Sequence, residues 1–301
     1  MIILKNPRLR LIHISRCRGI SRKNIWKLLK YDSSLINIYR FSPLEISKFL
    51  SIPEANARLF YHDLHDGHLL SVLKSDLSTY HVITIVDEHY PSMINTIKDK
   101  PIVIYAYGDV SLLTRQPTIS VIGTRNPSKE ARSKIDHILT PLVDDGWIVV
   151  SGMAKGIDSF AHELALGRNG KTIAVLGSGF KHIYPRQNTS LFHHISNHGL
   201  VISEYPPNIP PKKYHFPERN RIISGLSFGT LVIEATEKSG TLITVGHALD
   251  QGREVYAIPG SPLTVQSKGC HQLIQDGAKL VIDAQDIKDD WELFGKNHLL
   301  T

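Results

Sequence analysis

Cysteine is scarce in this 301-residue sequence, which contains Cys17 and Cys270 and no CxxC pair. That count argues against a disulfide framework and against a zinc site. No apolar run approaches the ~18 residues that are needed to cross a bilayer. The N-terminal segment scatters basic residues among apolar ones and has no small-residue cleavage site, so it does not resemble a signal peptide. These absences predict a cytoplasmic protein with no membrane segment.

The common nucleotide-binding fingerprints are missing as well. No GxxxxGK[ST] motif occurs, which argues against a P-loop nucleotide triphosphatase. The loop at 123–128 reads GTRNPS, and its arginine stands where a dinucleotide-binding fold needs close backbone approach. Three of the 16 histidines, His193, His194 and His198, lie near one another, but no second group of ligands accompanies them. We therefore expect no NAD or FAD, no other cofactor and no metal.

Basic residues are concentrated in the first 80 positions. Residues 1–80 contain 13 Lys or Arg against 6 Asp or Glu, whereas the remaining 221 residues contain 22 of each kind. The first 30 positions hold nine basic residues and no acidic one. Such a block is typical of contact with an anionic polymer, and a solvated helical face would produce it equally well. The turn at 18–21 resembles half of a helix-hairpin-helix, although ordinary helix packing also explains its single glycine.

The chain separates into a helical region and a region of alternating strands and helices. Residues 1–75 predict a small all-α domain, with helices that begin from Ser21, Ser42 and Ser51. We expect a linker with the first strands at 76–115, the main domain at 116–290, and a tail at 291–301 without a C-terminal winged helix. The predicted strands of the main domain are apolar throughout; they are 119–122, 148–151, 172–176, 200–203, 230–234, 254–258 and 279–282. This pattern indicates an α/β fold with a mainly parallel, Rossmann-like sheet that is buried on both faces.

The carboxyl ends of parallel strands are where such sheets bind ligands. Glycine loops follow three of the predicted strands, at Gly123, at 152–156 (GMAKG) and at 177–179 (GSG). Such glycines either let the backbone approach a phosphate or serve the tight turn itself. A Pro-rich loop at 206–217 precedes a helix that we expect from about Arg219. Ser239 and Gly240 open a later helix, where free amides and hydroxyls hold a phosphate or simply cap the helix.

Cations and aromatic rings are interleaved along the same strand ends. The cations are Arg125, Lys155, Arg186, Lys212, Lys213, Arg219 and Arg221, and the aromatic residues are Phe180, Tyr184, Tyr205, Tyr214 and Phe216. Guanidinium groups suit phosphate oxygens, and aromatic faces suit unstacked bases. This combination predicts a groove for single-stranded nucleic acid.

Motifs along the main region resemble those of the DNA-processing protein A family (DprA, also called Smf). They are SVIGTR at 120–125, SGMAKGID at 151–158, LGSGF with YPR at 176–186, SEYPPN at 203–208, KYHFPERNRIISGLS at 213–227, EATEKSGTLIT at 234–244, GREVYAIPGS at 252–261 and GCHQLIQDGAKLV at 269–281. The resemblance covers about residues 80–287, and the helical region at 1–70 is similar to the sterile-alpha-motif-like domain of that family.

The resemblance implies an extended Rossmann-like fold that forms a homodimer, binds single-stranded DNA and catalyses no reaction. Such proteins protect incoming DNA during natural transformation and help to load the RecA recombinase onto it. By position in the motifs, the implied DNA-binding residues are Gly123, Arg125, Lys155, Arg186, Lys213, Phe216, Arg219, Asn220, Arg221, Ser239 and Gly240. The RecA and self-association surfaces are implied around 241–280, without individual residues.

Two other functions compete with this interpretation. Phosphoribohydrolases on a related fold carry PGGxGTxxE, whereas here Gly229 and Thr230 precede Glu234 without the PGG and with one extra residue. One step along a strand reverses the face of a side chain, so Glu204 and Glu234 are interpreted as structural. The second competitor is a protein adaptor with a disused groove; the arginines at the strand ends argue against it, because an unused cationic groove repels itself.

Overall fold

The computed structural model describes residues 6–295, which form two compact units. The first is the described part of Met1–Tyr90 with Ile102–Ile104, and the second is Pro91–Pro101 with the described part of Tyr105–Thr301. The expected linker at 76–115 is therefore divided between them. Within the expected tail, Trp291–Gly295 forms a π-helical turn, and 296–301 lie outside the described residues. Across 6–295 no helix is both long enough and apolar enough to cross a bilayer.

The first unit consists of helices and a short strand. Their bounds are Pro7–Arg16 (α1), Arg22–Tyr31 (α2), Pro43–Leu50 (α3), Glu54–Leu64 (α4), Gly67–Thr79 (α5) and His81–Thr84 (β1). Ser21 and Ser42 each cap the following helix through a capping box, as the sequence predicts. Ser51 does not start a helix, because it ends α3 in the left-handed conformation with φ +56°. Helix α5 adds to the predicted set, and the side chain of Asp66 caps it.

Several arginines of the basic N-terminal block are held inside the first unit. Arg16 Nη2 donates to Asp76 Oδ2 at 2.8 Å, and both side chains are buried. Arg18 Nε and Nη2 donate to the two carboxylate oxygens of Asp63 at 2.9 and 2.7 Å. The hydrogen bonds from Arg18 lower the pKa of Asp63 to about 2. These cations are therefore committed to internal carboxylates.

The turn that resembles half of a helix-hairpin-helix has a packing explanation. Gly19 adopts a φ of +82°, which favours glycine, and a Cβ there would overlap the backbone carbonyl of Asn56. Close approach of α4 to this turn thus accounts for the glycine.

The second unit is built on a sheet whose central strands are parallel. Its strands are Val103–Gly108 (β2, which starts in the first unit), Thr118–Ile122 (β3), Ile148–Ser151 (β4), Thr172–Leu176 (β5), Leu200–Ser203 (β6), Gly229–Val232 (β7), Glu254–Ala257 (β8) and Lys279–Leu280 (β9). The order within this unit is β2-β6-β5-β4-β3-β7-β8-β9, with β2 antiparallel to β6 and the other neighbours parallel. Strands β4, β5 and β6 have the predicted bounds, and the predicted Rossmann-like sheet is confirmed.

Helices pack around this sheet and bury its central strands. They are Ser92–Asn95 (α6), Ala131–Asp144 (α7), Ile157–Gly167 (α8), Thr189–His198 (α9), His215–Gly225 (α10), Thr241–Asp250 (α11), Val265–Gln275 (α12) and Gln285–Asp290 (α13). Every residue of β3 to β7 is buried, as expected when both faces of a sheet are covered. Trp291 packs edge-on against Trp147 and Phe228, at 5.8 and 5.2 Å between ring centroids, so the start of the expected tail belongs to the core.

Helix α10 begins four residues before its predicted start near Arg219. Pro217 lies in its first turn, where a missing N–H is tolerated. The earlier start places Phe216 and Arg219 on one helical face, since residues three or four apart are neighbours on a helix. Arg221 lies on a different face.

Candidate nucleic-acid interface

A cleft of about 580 Å³ opens where strand β3 ends, beside α10 and the start of α11. The residues that line it are Ile122, Gly123, Thr124, Arg125, Asn126, Ala154, Asp158, Tyr184, Lys213, Phe216, Pro217, Arg219, Asn220, Ile223, Ser239, Gly240, Thr241, Ile243 and Thr244. A second cleft of about 340 Å³ shares six of these residues and extends past Lys155 to Gln187. The two clefts therefore adjoin along the carboxyl ends of the strands, where parallel sheets bind ligands.

The structure brings most of the residues implied by the motifs to these clefts. Those that line the larger cleft are Gly123, Arg125, Lys213, Phe216, Arg219, Asn220, Ser239 and Gly240. Lys155 lines the smaller cleft. Arg186 and Arg221 line neither. Arg186 is exposed and opens a 3-10 turn, whose buried last residue, Asn188, is anchored to the 152–156 loop.

Arg125 is an exposed cation on a loop that is fixed from below. The N–H of Thr124 donates to the carbonyl of Glu234 at 2.8 Å. Ser128, farther along the same loop, donates to the Glu234 carboxylate from its N–H at 2.8 Å and its hydroxyl at 2.6 Å. Arg125 itself makes no hydrogen bond or ion pair within residues 6–295. The loop thus presents a free guanidinium in a defined place.

Glu234 is fully buried and fully engaged. Besides the two bonds from Ser128, its carboxylate accepts one from Lys134 Nζ at 2.8 Å. Burial favours a higher pKa for this carboxyl, but the bonds from Lys134 and Ser128 outweigh burial and hold the pKa below its usual value. Glu234 therefore fixes the loop that carries Arg125 and is screened from the cleft.

The GMAKG loop at 152–156 is tied down by the first turn of α8. The Asp158 carboxylate accepts hydrogen bonds from the N–H groups of Gly152 and Ala154 at 3.2 and 3.3 Å. Burial raises the pKa of Asp158, and the charge of Arg219 opposes that shift. Lys155 stays exposed at the tip of the loop. The loop therefore offers a single cation on a rigid backbone.

Arg219 forms part of the floor of both clefts. Its Nη1 donates to the Gly152 carbonyl at 2.7 Å and to the Val175 carbonyl. Its Nε is buried without a hydrogen-bond partner in the described part of the chain. Burial lowers the pKa of Arg219 to about 10, so the group stays charged at neutral pH. Arg219 thus holds the ends of β4 and β5 while it adds positive charge beneath the cleft.

Two of the strand-end glycines make room for side chains of α10. A Cβ on Gly152 would overlap the guanidinium of Arg219, and a Cβ on Gly177 would lie 2.9 Å from Phe216 Cδ1. Close packing of α10 therefore accounts for these glycines, whereas the sequence pattern left phosphate approach and turn geometry as the two explanations. Gly240 differs, because nothing lies within 4 Å of its Cβ position and the residue is exposed in the cleft.

Arg221 points away from the clefts. Its Nη2 donates to both carboxylate oxygens of Glu204 at 2.9 and 2.7 Å, and its Nε lies 3.4 Å from Asp99. The arginine side chain is 5 % exposed. Five positions along a helix separate it from Phe216, which turns it to another face. The RNR motif therefore supplies one cleft residue with a free side chain, Asn220, and two buried arginines.

The aromatic surface of the cleft comes from two side chains. The rings of Tyr184 and Phe216 lie 5.3 Å apart at an angle of 49°. Tyr184 is 48 % exposed and Phe216 is half-buried. Exposed ring faces beside cations are the arrangement on which unstacked bases bind.

The implied set of site residues omits several cleft residues. Asn126 follows Arg125, Tyr184 precedes Arg186, and Ile243 and Thr244 extend the wall that begins at Ser239 and Gly240. Helical spacing was the available signal for α11, since Gly240, Ile243 and Thr244 lie three and four residues apart. Ser239 Oγ is buried and has no hydrogen-bond partner among residues 6–295, so the cleft wall contains an unused hydroxyl.

The chemistry of the cleft suits binding to an anionic chain. Its free cations are Arg125 and Lys213, and Asp158, a lining carboxylate, is occupied by backbone N–H groups. Among residues 6–295 no group of three or more His, Cys, Asp or Glu is arranged to hold a metal ion.

Comparison with known proteins gives the family. Residues 81–292 match the family model of DNA recombination-mediator protein A. The chain is 45% identical over 208 residues to DNA processing protein DprA of Bacillus subtilis, covering 69% of this chain and 70% of that one. It is 43% identical over 232 residues to DprA of Streptococcus pneumoniae, covering 77% and 80%.

Solved structures agree with the sequence comparison. The crystal structure of DNA processing protein A from Streptococcus pneumoniae aligns with a TM-score of 0.83 and 37% identity, over 94% of this chain and 97% of that one. DNA processing protein A of Helicobacter pylori, for which a single-stranded DNA binding mode is described, aligns with a TM-score of 0.63 and 29% identity, over 69% and 93%. The resemblance inferred from the motifs is confirmed, and this chain belongs to the DNA recombination-mediator protein A family.

Proposed function

We propose that this protein binds single-stranded DNA in the cleft between the β3 loop, α10 and α11, and that it acts there as a recombination mediator. The observation that carries the proposal is the combination of two uncommitted cations, Arg125 and Lys213, with the exposed pair of rings at Tyr184 and Phe216. Phosphates bind the cations and bases stack on the rings. The single-stranded DNA binding mode of the Helicobacter pylori relative supports the same choice of ligand.

The partners belong to the same proposal. We infer that the protein protects incoming DNA during natural transformation in the cytoplasm, forms a homodimer and helps to load RecA. Support for protein contacts comes from large apolar side chains that are exposed in the second unit; they are Leu249, Leu263, Val265, Leu280 and Ile282. Exposed apolar side chains of this size are typical of protein interfaces when they cluster.

The proposed role involves no catalysis. The phosphoribohydrolase alternative needs a glutamate that reaches a ribose, and Glu234 is enclosed by Ser128 and Lys134. Incubation with nucleoside monophosphates, followed by a search for released base, tests this point. Turnover that the Glu234→Gln variant abolishes would establish the enzyme instead.

Fluorescence anisotropy with labelled oligo-dT and a duplex of equal length tests DNA binding. We expect tighter binding of the single strand, and weaker binding by the Arg125→Ala/Lys213→Ala variant. Loss of two phosphate contacts lowers the affinity by about 25-fold at 0.1 M salt, because each contributes about 0.7 to the salt slope for single strands. Lys268→Ala is the matched control, since Lys268 is exposed on α12 and lines neither cleft. Unchanged affinity of the folded double variant would refute the cleft assignment.

A further inference from the structure

The first unit carries a second combination of cations and aromatic rings, on the exposed face of α2. Lys23, Lys27 and Lys30 lie at spacings of four and three residues and form one stripe along the helix. The buried residues of the helix, Ile25 and Leu28, lie on its opposite side. The stripe spans about 10 Å at 1.5 Å per residue.

Three aromatic rings lie beside this stripe. Tyr31, at the end of α2, is 58 % exposed, and its ring centroid lies 4.7 Å from that of Phe49 and 6.4 Å from that of Phe41. Phe41 and Phe49 meet edge-on at 5.9 Å, and both remain partly exposed. Single exposed rings are ordinary on protein surfaces, whereas a cluster of three beside a row of cations is not.

The lysines of the stripe have different tasks. Lys27 Nζ donates to the Phe49 carbonyl and lies 5.1 Å from the centroid of the Phe49 ring, so it holds the cluster together. Lys23 and Lys30 are exposed and make no hydrogen bond or ion pair within the described chain. By contrast, Arg16 and Arg18 of the same basic block are committed to carboxylates. Lys23 and Lys30 are therefore cations that the fold leaves available.

We propose that this surface, formed by Lys23, Lys27, Lys30, Tyr31, Phe41 and Phe49, is a second binding site for single-stranded DNA, separate from the cleft of the second unit. The inference rests on the proposed function for its ligand. Lys23 and Lys30 neutralise phosphates, and the face of Tyr31 accepts an unstacked base. A single strand fits better than a duplex, because base faces in a duplex are already stacked on one another. An acidic protein segment would use the lysines and leave the rings without a matching partner.

The affinity test compares variants of the full chain on oligo-dT that is long enough to reach both sites. We expect Lys23→Gln/Lys30→Gln to lower the salt slope by about 1.4 and the affinity by about 25-fold at 0.1 M salt. Lys74→Gln is the matched control, since Lys74 is an exposed lysine of the same unit on α5, outside the surface. Tyr31→Leu tests stacking separately and should lower the affinity by at least about fivefold with the salt slope unchanged.

A second measurement does not depend on the folding of variants. Photocrosslinking of the wild-type chain to bromouridine-substituted single strands should place a crosslink at Tyr31, Phe41 or Phe49. The proposal is overturned if the Lys23→Gln/Lys30→Gln variant binds like wild type and no crosslink maps to these rings, and equally if duplex competes as well as single strand for that crosslink. In either case a loss of binding in the cleft variant still supports the proposed function, whereas absence of binding by wild type refutes both.

Discussion

Alanine substitutions at Arg125 and Arg221, made separately, distinguish a cation that contacts DNA from one that supports the fold. The motifs imply DNA contact for both residues, but their surroundings differ. Arg125 is exposed and unpaired among the described residues, whereas Arg221 forms a bidentate pair with Glu204 and is 5 % exposed. The two variants should therefore fail in different assays.

The expected magnitudes follow from these contacts. Arg125→Ala removes one phosphate contact, which lowers the salt slope by about 0.7 and the affinity by about fivefold at 0.1 M salt. Its free energy of unfolding should change by less than about 0.5 kcal/mol, as for other surface substitutions. Arg221→Ala leaves the largely buried Glu204 carboxylate without its main partner, which costs about 3–5 kcal/mol of folding stability. Its salt slope should match that of wild type.

Anisotropy titrations with oligo-dT from 50 to 400 mM salt give the slopes, and urea denaturation followed by circular dichroism gives the stabilities. A lower slope with full stability in Arg221→Ala would show that Arg221 leaves Glu204 to bind phosphate, against the geometry described above. An unchanged slope in Arg125→Ala would remove Arg125 from the binding surface.

Three further substitutions test the packing and the titrating groups. Asp63 has a pKa near 2 because of Arg18, below its unfolded value, so this pair should contribute about 1–2 kcal/mol above pH 5, after allowance for the exposed Arg18, and lose it as the pH falls toward 2. Urea titrations at pH 6 and pH 2.5 should show that loss reduced in Asp63→Asn. Burial lowers the pKa of His162 to about 3, so stability should fall by about 2 kcal/mol between pH 7.5 and 5, and His162→Gln should remove that dependence. Gly152→Ala should cost about 1–3 kcal/mol in thermal denaturation, because the new Cβ displaces Arg219 from its two carbonyls; an unchanged melting temperature would contradict the packing role of that glycine.

The central strands were predictable because their signal is local. Strands β4, β5 and β6 are continuous apolar runs, and each is buried along its whole length. Such runs between helices specify a covered parallel sheet, and the strand-end rule then locates the cleft. The cleft lining at Gly123, Arg125 and Gly240 agrees with that rule.

Helix α10 shows where local reasoning stopped. Proline and the Pro-rich segment before it suggest a loop up to residue 217, but the helix begins at His215. His215 is held by its Nδ1 contact to the Gly177 carbonyl at 3.1 Å and by stacking on Tyr205 at 3.9 Å. These contacts join positions that lie ten to 38 residues apart, so no local pattern contains them. The start of the helix decides which motif residues face the cleft.

Charge counts have the same limitation, and here it changes where DNA contacts are sought. The region after residue 80 is neutral overall, yet it exposes Arg125 and Lys213, because Glu204 and Glu234 are occupied by internal partners. The strongly basic first region conversely commits Arg18 to a carboxylate 45 residues away. A polymer meets only the cations that remain after folding has paired the others. Since that pairing is decided by tertiary contacts, the sequence bounds the set of candidate contacts, and the fold selects from it.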